Sequence, residues 1–188
     1  MYLILINVID ERRLILNINM KSTVYSSVEY SKDKKHRYSL KKIWDSEKPI
    51  ATIIMLNPRE KTDALYQDKS IILFMNYCID NNFGGMYVVN LFSIRCDSEI
   101  ALKKISYNTR FDKSTDKYLR EALEKSAKLY IGWGTNNNRL KRIKQVKKVI
   151  EKYKNIQIAR LVNTEEKAVH LSRASSILIE EIIEVEQI

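Results

Sequence analysis

A chain of 188 residues with 45% hydrophobic content is long enough to bury one sizeable core, whereas two independent cores would each be small. Lys and Arg outnumber Asp and Glu by 33 to 23, a formal charge of +10, which suggests an anionic partner while leaving a plain soluble basic protein open. The two cysteines, Cys78 and Cys96, lack CxxC spacing, which argues against a zinc site or a disulfide framework and fits a reducing cytoplasm.

The opening run MYLILINVID is apolar for about eight residues and lacks a basic leading segment and a small-residue cleavage site, so it is not read as a secretion signal. It also falls far short of the roughly twenty apolar residues of a membrane helix. With Met20 following, residues 1–19 read as an N-terminal extension or an extra strand, and 20–188 as a single α/β domain. From Val24 to Trp44 the pattern is two strands around a charged turn, with Tyr38, Leu40 and Trp44 on one face at period two and His36 in the solvated turn.

Pro49 punctuates the chain, and Ile50 to Leu56, IATIIML, is a β-branched run of strand length suited to burial on both faces. SIILFMNYCIDNNFGG is helical, with Cys78 on its core side, and Gly84-Gly85 is the expected left-handed closure. Met86 to Phe92 gives a second strand. A helix follows from Thr115 to Lys128 with Leu119, Leu123 and Ala127 on one side, and LYIGWG gives a third strand. Arg139 to Lys154 is an amphipathic helix with Leu140, Ile143, Val146, Ile150 and Tyr153 along its apolar stripe. IQIARLV is a fourth strand, and SSILIEEIIEVEQI reads as a closing helix. Strands alternating with helices predict an α/β three-layer sandwich with a mainly parallel central sheet and an N-terminal β-hairpin.

Ligands of open α/β sheets bind beyond the carboxyl ends of the strands, which selects the residues there as candidates. They are Asn57, Pro58 and Arg59; Asn90, Ser93 and Arg95; Trp133, Gly134, Thr135 and Asn136; and Asn163, Thr164, His170 and Ser172. A fixed Asn both donates and accepts, so Asn57 and Asn90 can read a base edge or orient a water, or else start a turn and cap a backbone group. Asp63 and Asp68 follow the Asn-Pro loop, and Asp68 suits a helix cap. His170 can stabilise a developing oxyanion or a phosphate, or serve the fold. No Gly-rich phosphate loop, kinase signature or metal cluster is present in the sequence, so no cofactor and no metal are expected.

The segment Arg139–Lys154 carries eight Lys or Arg against Glu151 alone. Arg139, Lys141, Arg142, Lys144, Lys147 and Lys148 are its candidate DNA-backbone contacts, with a merely Lys-rich surface as the alternative.

HRYSLKKIW, IIMLNP, the acid at Asp68, GGMYVVNLFSIR and IGWG together resemble the bacterial and phage family called domain of unknown function 1643, over roughly His36 to Ser172. That family usually has a proline after its late histidine, where this chain has Leu171. The layout is also distantly similar to the uracil-DNA glycosylase superfamily. That resemblance implies a glycosylase-like fold with Asn57 as the water-orienting asparagine and Asn90 as the base reader. Tyr66 or Phe92 would stack on a flipped base, and His170 with Ser172 would form the loop that stabilises the departing base. Arg59, which replaces a glycine of the superfamily loop, joins Arg95, Ser172 and Arg173 as loop or phosphate contacts.

Three functions remain open at this stage. The first is a nucleic-acid-associated protein, with DNA as the expected partner, that binds without efficient cleavage. The second is a glycosylase releasing a modified base. The third is a protein-interaction module of a phage or mobile element, meeting a protein partner. Neither the oligomeric state nor the preferred strand form is legible.

Overall fold

A computed structural model describes residues 21–134, 140–162 and 179–188 of the chain. The alternating segment after Val24 forms the expected hairpin, β1 (Tyr25–Tyr30) antiparallel to β2 (Arg37–Ile43). Its turn is held by Asp33, whose carboxylate accepts from Ser31 Oγ at 2.7 Å and from the Lys35 amide at 3.1 Å. The β-branched runs supply β3 (Ile50–Met55), β4 (Gly85–Asn90), β5 (Lys128–Ile131) and β6 (Gln157–Val162).

These join β7 (Ile179–Ile182) in a seven-stranded sheet of order β1-β2-β4-β3-β5-β6-β7. The parallel pairings lie at the centre, β4 with β3, β3 with β5 and β5 with β6, while β1, β2 and β7 add antiparallel edges. The sheet is therefore mixed, and the expectation of a mainly parallel sheet holds only for its core.

Helix α1 (Lys69–Asp80) covers one face, where Ile71, Phe74 and Cys78 meet Ile53, Met86 and Val88. On the other, α2 (Glu99–Lys104), α3 (Lys113–Glu124) and α4 (Leu140–Ile150) bring Leu119, Leu123 and Val146 onto Ile54, Val89 and Leu129. Successive strand residues point to opposite faces, so each central strand feeds both cores and must be apolar throughout. Among the described residues no helix is long and apolar enough to cross a membrane.

Asp68 caps α1 as anticipated, its carboxylate accepting from the Ile71 amide at 3.1 Å. The closure at the other end differs from expectation. Asn82 at φ 62° makes the left-handed step, not Gly84 or Gly85. The two glycines are needed for close approach instead. A Cβ on Gly84 would stand 1.9 Å from the Asp45 carbonyl oxygen, and one on Gly85 2.3 Å from Ile43 Cδ1. Helix α3 stops at Glu124, which leaves Ala127 exposed rather than on its buried side.

The closing segment is corrected more substantially. Ile179–Ile182 is an edge strand, not part of a helix. Its acids explain why: Glu180 accepts from Tyr130 Oη at 2.7 Å and Tyr77 Oη at 2.9 Å and pairs with Lys128, while Glu181 forms a two-bond pair with Arg160 directly across the ladder. These partners sit on β5, β6 and α1, and only an extended chain alongside β6 reaches them together. The proposed extension, residues 1–19, lies outside the described residues.

Burial works against the Glu180 carboxylate, yet hydrogen bonds from Lys128, Tyr130 and Tyr77 outweigh it and hold its pKa below the ordinary value. The same cluster pushes Tyr77 up to about 12 through burial and the nearby carboxylate. Because the folded pKa is depressed, Glu180 stabilises the fold above its unfolded pKa and loses that contribution as pH falls through the folded one. Replacing it by Gln is expected to cost about 1.5–3 kcal/mol at pH 7, the range for hydrogen bonds to a charged group. Urea unfolding at pH 7 and pH 3.5 checks both parts, since the deficit of Glu180→Gln must shrink at the lower pH.

Candidate functional site

Parallel pairing of β3 with β4 sets Met55 opposite Asn90. The Asn57 loop and the end of β4 therefore leave the sheet side by side. Asn90 is 4% exposed. Its carbonyl oxygen accepts from Arg37 Nη2 at 3.4 Å, and its Nδ2 is buried with no hydrogen-bond partner among the described residues.

Arg37, the first residue of β2, is 2% exposed. Its Nη1 reaches the Thr62 carbonyl at 3.4 Å and its Nε has no partner among the described residues. Both contacts are long for hydrogen bonds to a guanidinium. Burial pushes its pKa down to about 10, with Asp68 and then Tyr30 acting in the opposite sense. The carboxyl end of β4 thus holds a desolvated cation and an amide whose N–H groups are incompletely used, which is costly; among the described residues Arg95 Nε and Tyr107 Oη are the other buried side-chain polar atoms without a partner.

Asn57 is fixed differently. Its Nδ2 donates to the Cys96 carbonyl at 2.8 Å and lies 3.2 Å from Cys96 Sγ. Its amide group therefore ties the β3 loop to the β4 loop. Cys96 is buried, and burial raises its pKa. Arg59 is exposed, donating to the Asp97 carbonyl at 3.0 Å with Asp68 3.9 Å from its Nε.

His36 is not solvated as expected. Its Nδ1 lies 2.8 Å from Ser93 Oγ, and Ser93 continues at 2.7 Å to Thr115 Oγ1, which belongs to the cap formed by Asp112. Tyr38 Oη donates to the same Asp112 at 2.8 Å, and its ring stacks on His36. Ser93 is 1% exposed, and this run of hydrogen bonds ties the hairpin to α3.

Beyond these groups opens a cleft of about 560 Å³ lined by Lys34, Lys35, Glu60, Lys61, Ile94, Arg95 and Ile105. Four of these side chains are cationic and one is acidic. Its walls come from the hairpin turn, the β3 loop, the β4 loop and the C-terminal end of α2, and Arg95 joins the first and third of them. The Arg95 Nη1 donates to the Lys34 carbonyl at 2.9 Å, its amide donates to the Lys35 carbonyl at 2.9 Å, and its guanidinium lies 5.2 Å from the Tyr30 ring centre. Lys34 takes a left-handed φ of 55°, a conformation unusual for a side chain with a Cβ. Sequence reading found Arg95 and missed the three lysines, because each sits in a charged turn with nothing local to mark it.

The basic helix divides. Lys141, Lys144 and Lys148 are exposed, and Lys141 lies over the Tyr107 ring at 5.0 Å. Lys147 donates to the Glu186 carbonyl at 3.0 Å. Arg142 is withdrawn from any DNA contact: it is 1% exposed, pairs with Asp116 and donates from Nε to the Leu91 carbonyl at 2.8 Å. Phe92 is likewise unable to stack on a ligand, being 2% exposed among Tyr107 and Phe111. Tyr66, in contrast, is 58% exposed. Arg139, His170, Ser172 and Arg173, with Thr135, Asn136, Asn163 and Thr164, lie outside the described residues, and no group of three or more potential metal ligands occurs among the described ones.

Residues 37–170 match the family model described as "Protein of unknown function (DUF1643)". No curated protein and no solved structure matches the chain.

Because Arg142 is buried against Asp116, which is partly exposed, and donates to the Leu91 carbonyl, Arg142→Ala is expected to lower stability by about 2 kcal/mol through lost packing and an unpaired carbonyl. Lys144→Ala on the exposed face should change it by less than about 0.5 kcal/mol. Chemical denaturation of the two variants beside the parent reads the difference directly.

Proposed function

We propose that the chain, which belongs to the DUF1643 family, is a nucleic-acid-associated protein on a uracil-DNA-glycosylase-like scaffold. It binds DNA or a nucleobase across the carboxyl edge of its sheet, without efficient cleavage. The observation that carries the reading is the cleft with Lys34, Lys35, Lys61 and Arg95 on its walls, at the edge where open α/β sheets bind their ligands. Four cations converging on one concave surface suit phosphates, and the apolar Ile94 and Ile105 suit the sugar between them. Exposed Lys141 and Lys144 on α4 extend the positive surface. The side-by-side exit of Asn57 and Asn90 supports the glycosylase-like assignment. The contact between Arg37 and the Asn90 carbonyl favours binding over cleavage, since it engages one half of the amide that would read a base.

Phosphate contacts release counterions, so affinity must fall steeply with salt. In fluorescence anisotropy with labelled DNA, the double variant Lys34→Glu, Lys61→Glu is expected to bind about tenfold or more weakly at low salt and to flatten the log K against log salt slope by roughly two. Unchanged affinity and slope in that variant would remove the cleft from the binding surface.

A second reading, an active glycosylase, is favoured by one observation: the Asn90 Nδ2 is a buried donor with no partner among the described residues, as a group that reads a base carbonyl would be. Under this reading Asn57 places the water and His170 assists the leaving base. Mass spectrometry of free bases released from DNA carrying uracil and other modified bases tests it. Release by the parent and loss of about a hundredfold or more in Asn57→Ala is the expected pattern for a catalytic group of this kind. No release by folded parent protein leaves the binding reading in place.

A further inference from the structure

Phosphate contact leaves one feature of the β3–α1 loop unused. Leu65 is 88% exposed, and its neighbour Tyr66 is 58% exposed. Single exposed apolar residues are ordinary, but these two are adjacent, large and presented on a backbone held at several points. The Asp63 carboxylate accepts from the Leu65 amide at 2.7 Å and the Tyr66 amide at 2.8 Å, and the Asp63 amide donates back to the Tyr66 carbonyl at 3.0 Å. From the hairpin, Ser26 Oγ at 2.7 Å and Lys42 Nζ at 2.9 Å both donate to the Ala64 carbonyl. Lys42 is 2% exposed, so a nearly buried lysine is spent on fixing this turn.

The tip belongs to the loop that also forms one wall of the cationic cleft. Glu60 and Lys61 of the same loop line that cleft, and the charge of Arg95 on another wall adds to the Tyr66 and Leu65 amides in holding the Asp63 carboxyl low. A rigid apolar and aromatic projection on the loop that also lends Lys61 to the cleft supplies, with those cations, the two elements by which single strands are held, the cations following phosphates and the projection covering the face of an unpaired base. In an intact duplex both faces of an internal base are already stacked, and inserting a side chain between steps costs a few kcal/mol of unstacking.

We infer that the Leu65–Tyr66 tip is a base-stacking platform and that the protein prefers single-stranded or locally unpaired nucleic acid to intact duplex. The inference rests on the nucleic-acid reading given above and adds the strand form to it. Tyr66 thereby serves as a stacking residue on an open tip, and not in a closed pocket with Phe92.

The test uses the full chain in anisotropy titrations against a labelled twelve-nucleotide single strand and the duplex of the same sequence, at two salt concentrations. The single strand should bind about tenfold or more tightly than the duplex, and Leu65→Ala with Tyr66→Ala should weaken it by roughly tenfold or more while leaving duplex binding and the salt slope nearly unchanged. Tyr66→Phe, which keeps the ring, should retain single-strand affinity. Circular dichroism and urea unfolding confirm that these exposed substitutions leave the fold intact. Equal affinity for both forms, or a single-strand affinity indifferent to the double substitution, overturns the stacking platform alone. Failure of the folded protein to bind either form overturns it together with the nucleic-acid reading.

Discussion

Strand β4 is buried along all six residues, and its apolar side chains alternate between α1 on one face and α3 with α4 on the other. A strand in that position has its backbone groups committed to the ladders on either side and its side chains committed to two cores, so it cannot carry a solvent-facing site along its length. Polar chemistry is confined to where the chain leaves the sheet. Asn90 is the last residue of β4 and the first in that strand with a polar side chain. The parallel neighbour β3 delivers the Asn57 loop to the same edge, and the antiparallel neighbour β2 begins there with Arg37. The edge is thus a consequence of double burial, and the cleft lies where the hairpin, the β3 loop and the β4 loop have to turn, with the end of α2 beside them.

Formal charge is a poor guide to where this molecule is positive. Arg37, Lys42 and Arg142 are almost wholly buried, each bonded to a carbonyl, a carboxylate, a hydroxyl or an amide oxygen. A buried cation with imperfect partners spends stability, and the protein tolerates it where the cation holds loops in place. Lys42 fixes the loop after β3, Arg142 holds α4 to the end of β4 and to α3, and Arg37 sits between the Thr62 carbonyl and Asn90. Among the described residues the exposed cations lie at the turns and on the outer faces of the helices, Lys69 on α1, Lys103 and Lys104 on α2, Lys117 on α3 and Lys141 and Lys144 on α4 among them.

Local pattern was enough to read the hairpin, the four central strands, α1 and α4, because period-two and helical spacing, with caps such as Asp68, are written in neighbouring residues. The closing segment was misread because ILIEEIIEVEQI is apolar and acidic at spacings compatible with either state, and the choice depends on Tyr77, Lys128, Tyr130 and Arg160 far away in the chain. The same limit applies to the site. Asn57 and Asn90 were legible as polar residues ending apolar runs. The placement of Arg37 against Asn90, and of His36 against Ser93, requires β2 to lie beside β4, which follows from topology and not from any nearby motif. Leu65 left a faint signal, an apolar residue in a polar loop between Asp63 and Asp68, but exposure alone gives it meaning.

The cross-ties of Arg95 bear on the timing of recognition. The hairpin turn and the β4 loop are joined by two bonds from this one residue, by the Arg37 amide to the Ser93 carbonyl at 2.9 Å, and by a bridge between His36 and Ile94. Two walls of the cleft are therefore one mechanical unit, and on the proposed nucleic-acid reading little ordering entropy would be lost on contact. On that reading encounter would be governed by diffusion and by the field of the lysines, and closely related ligands would differ chiefly in how long they stay.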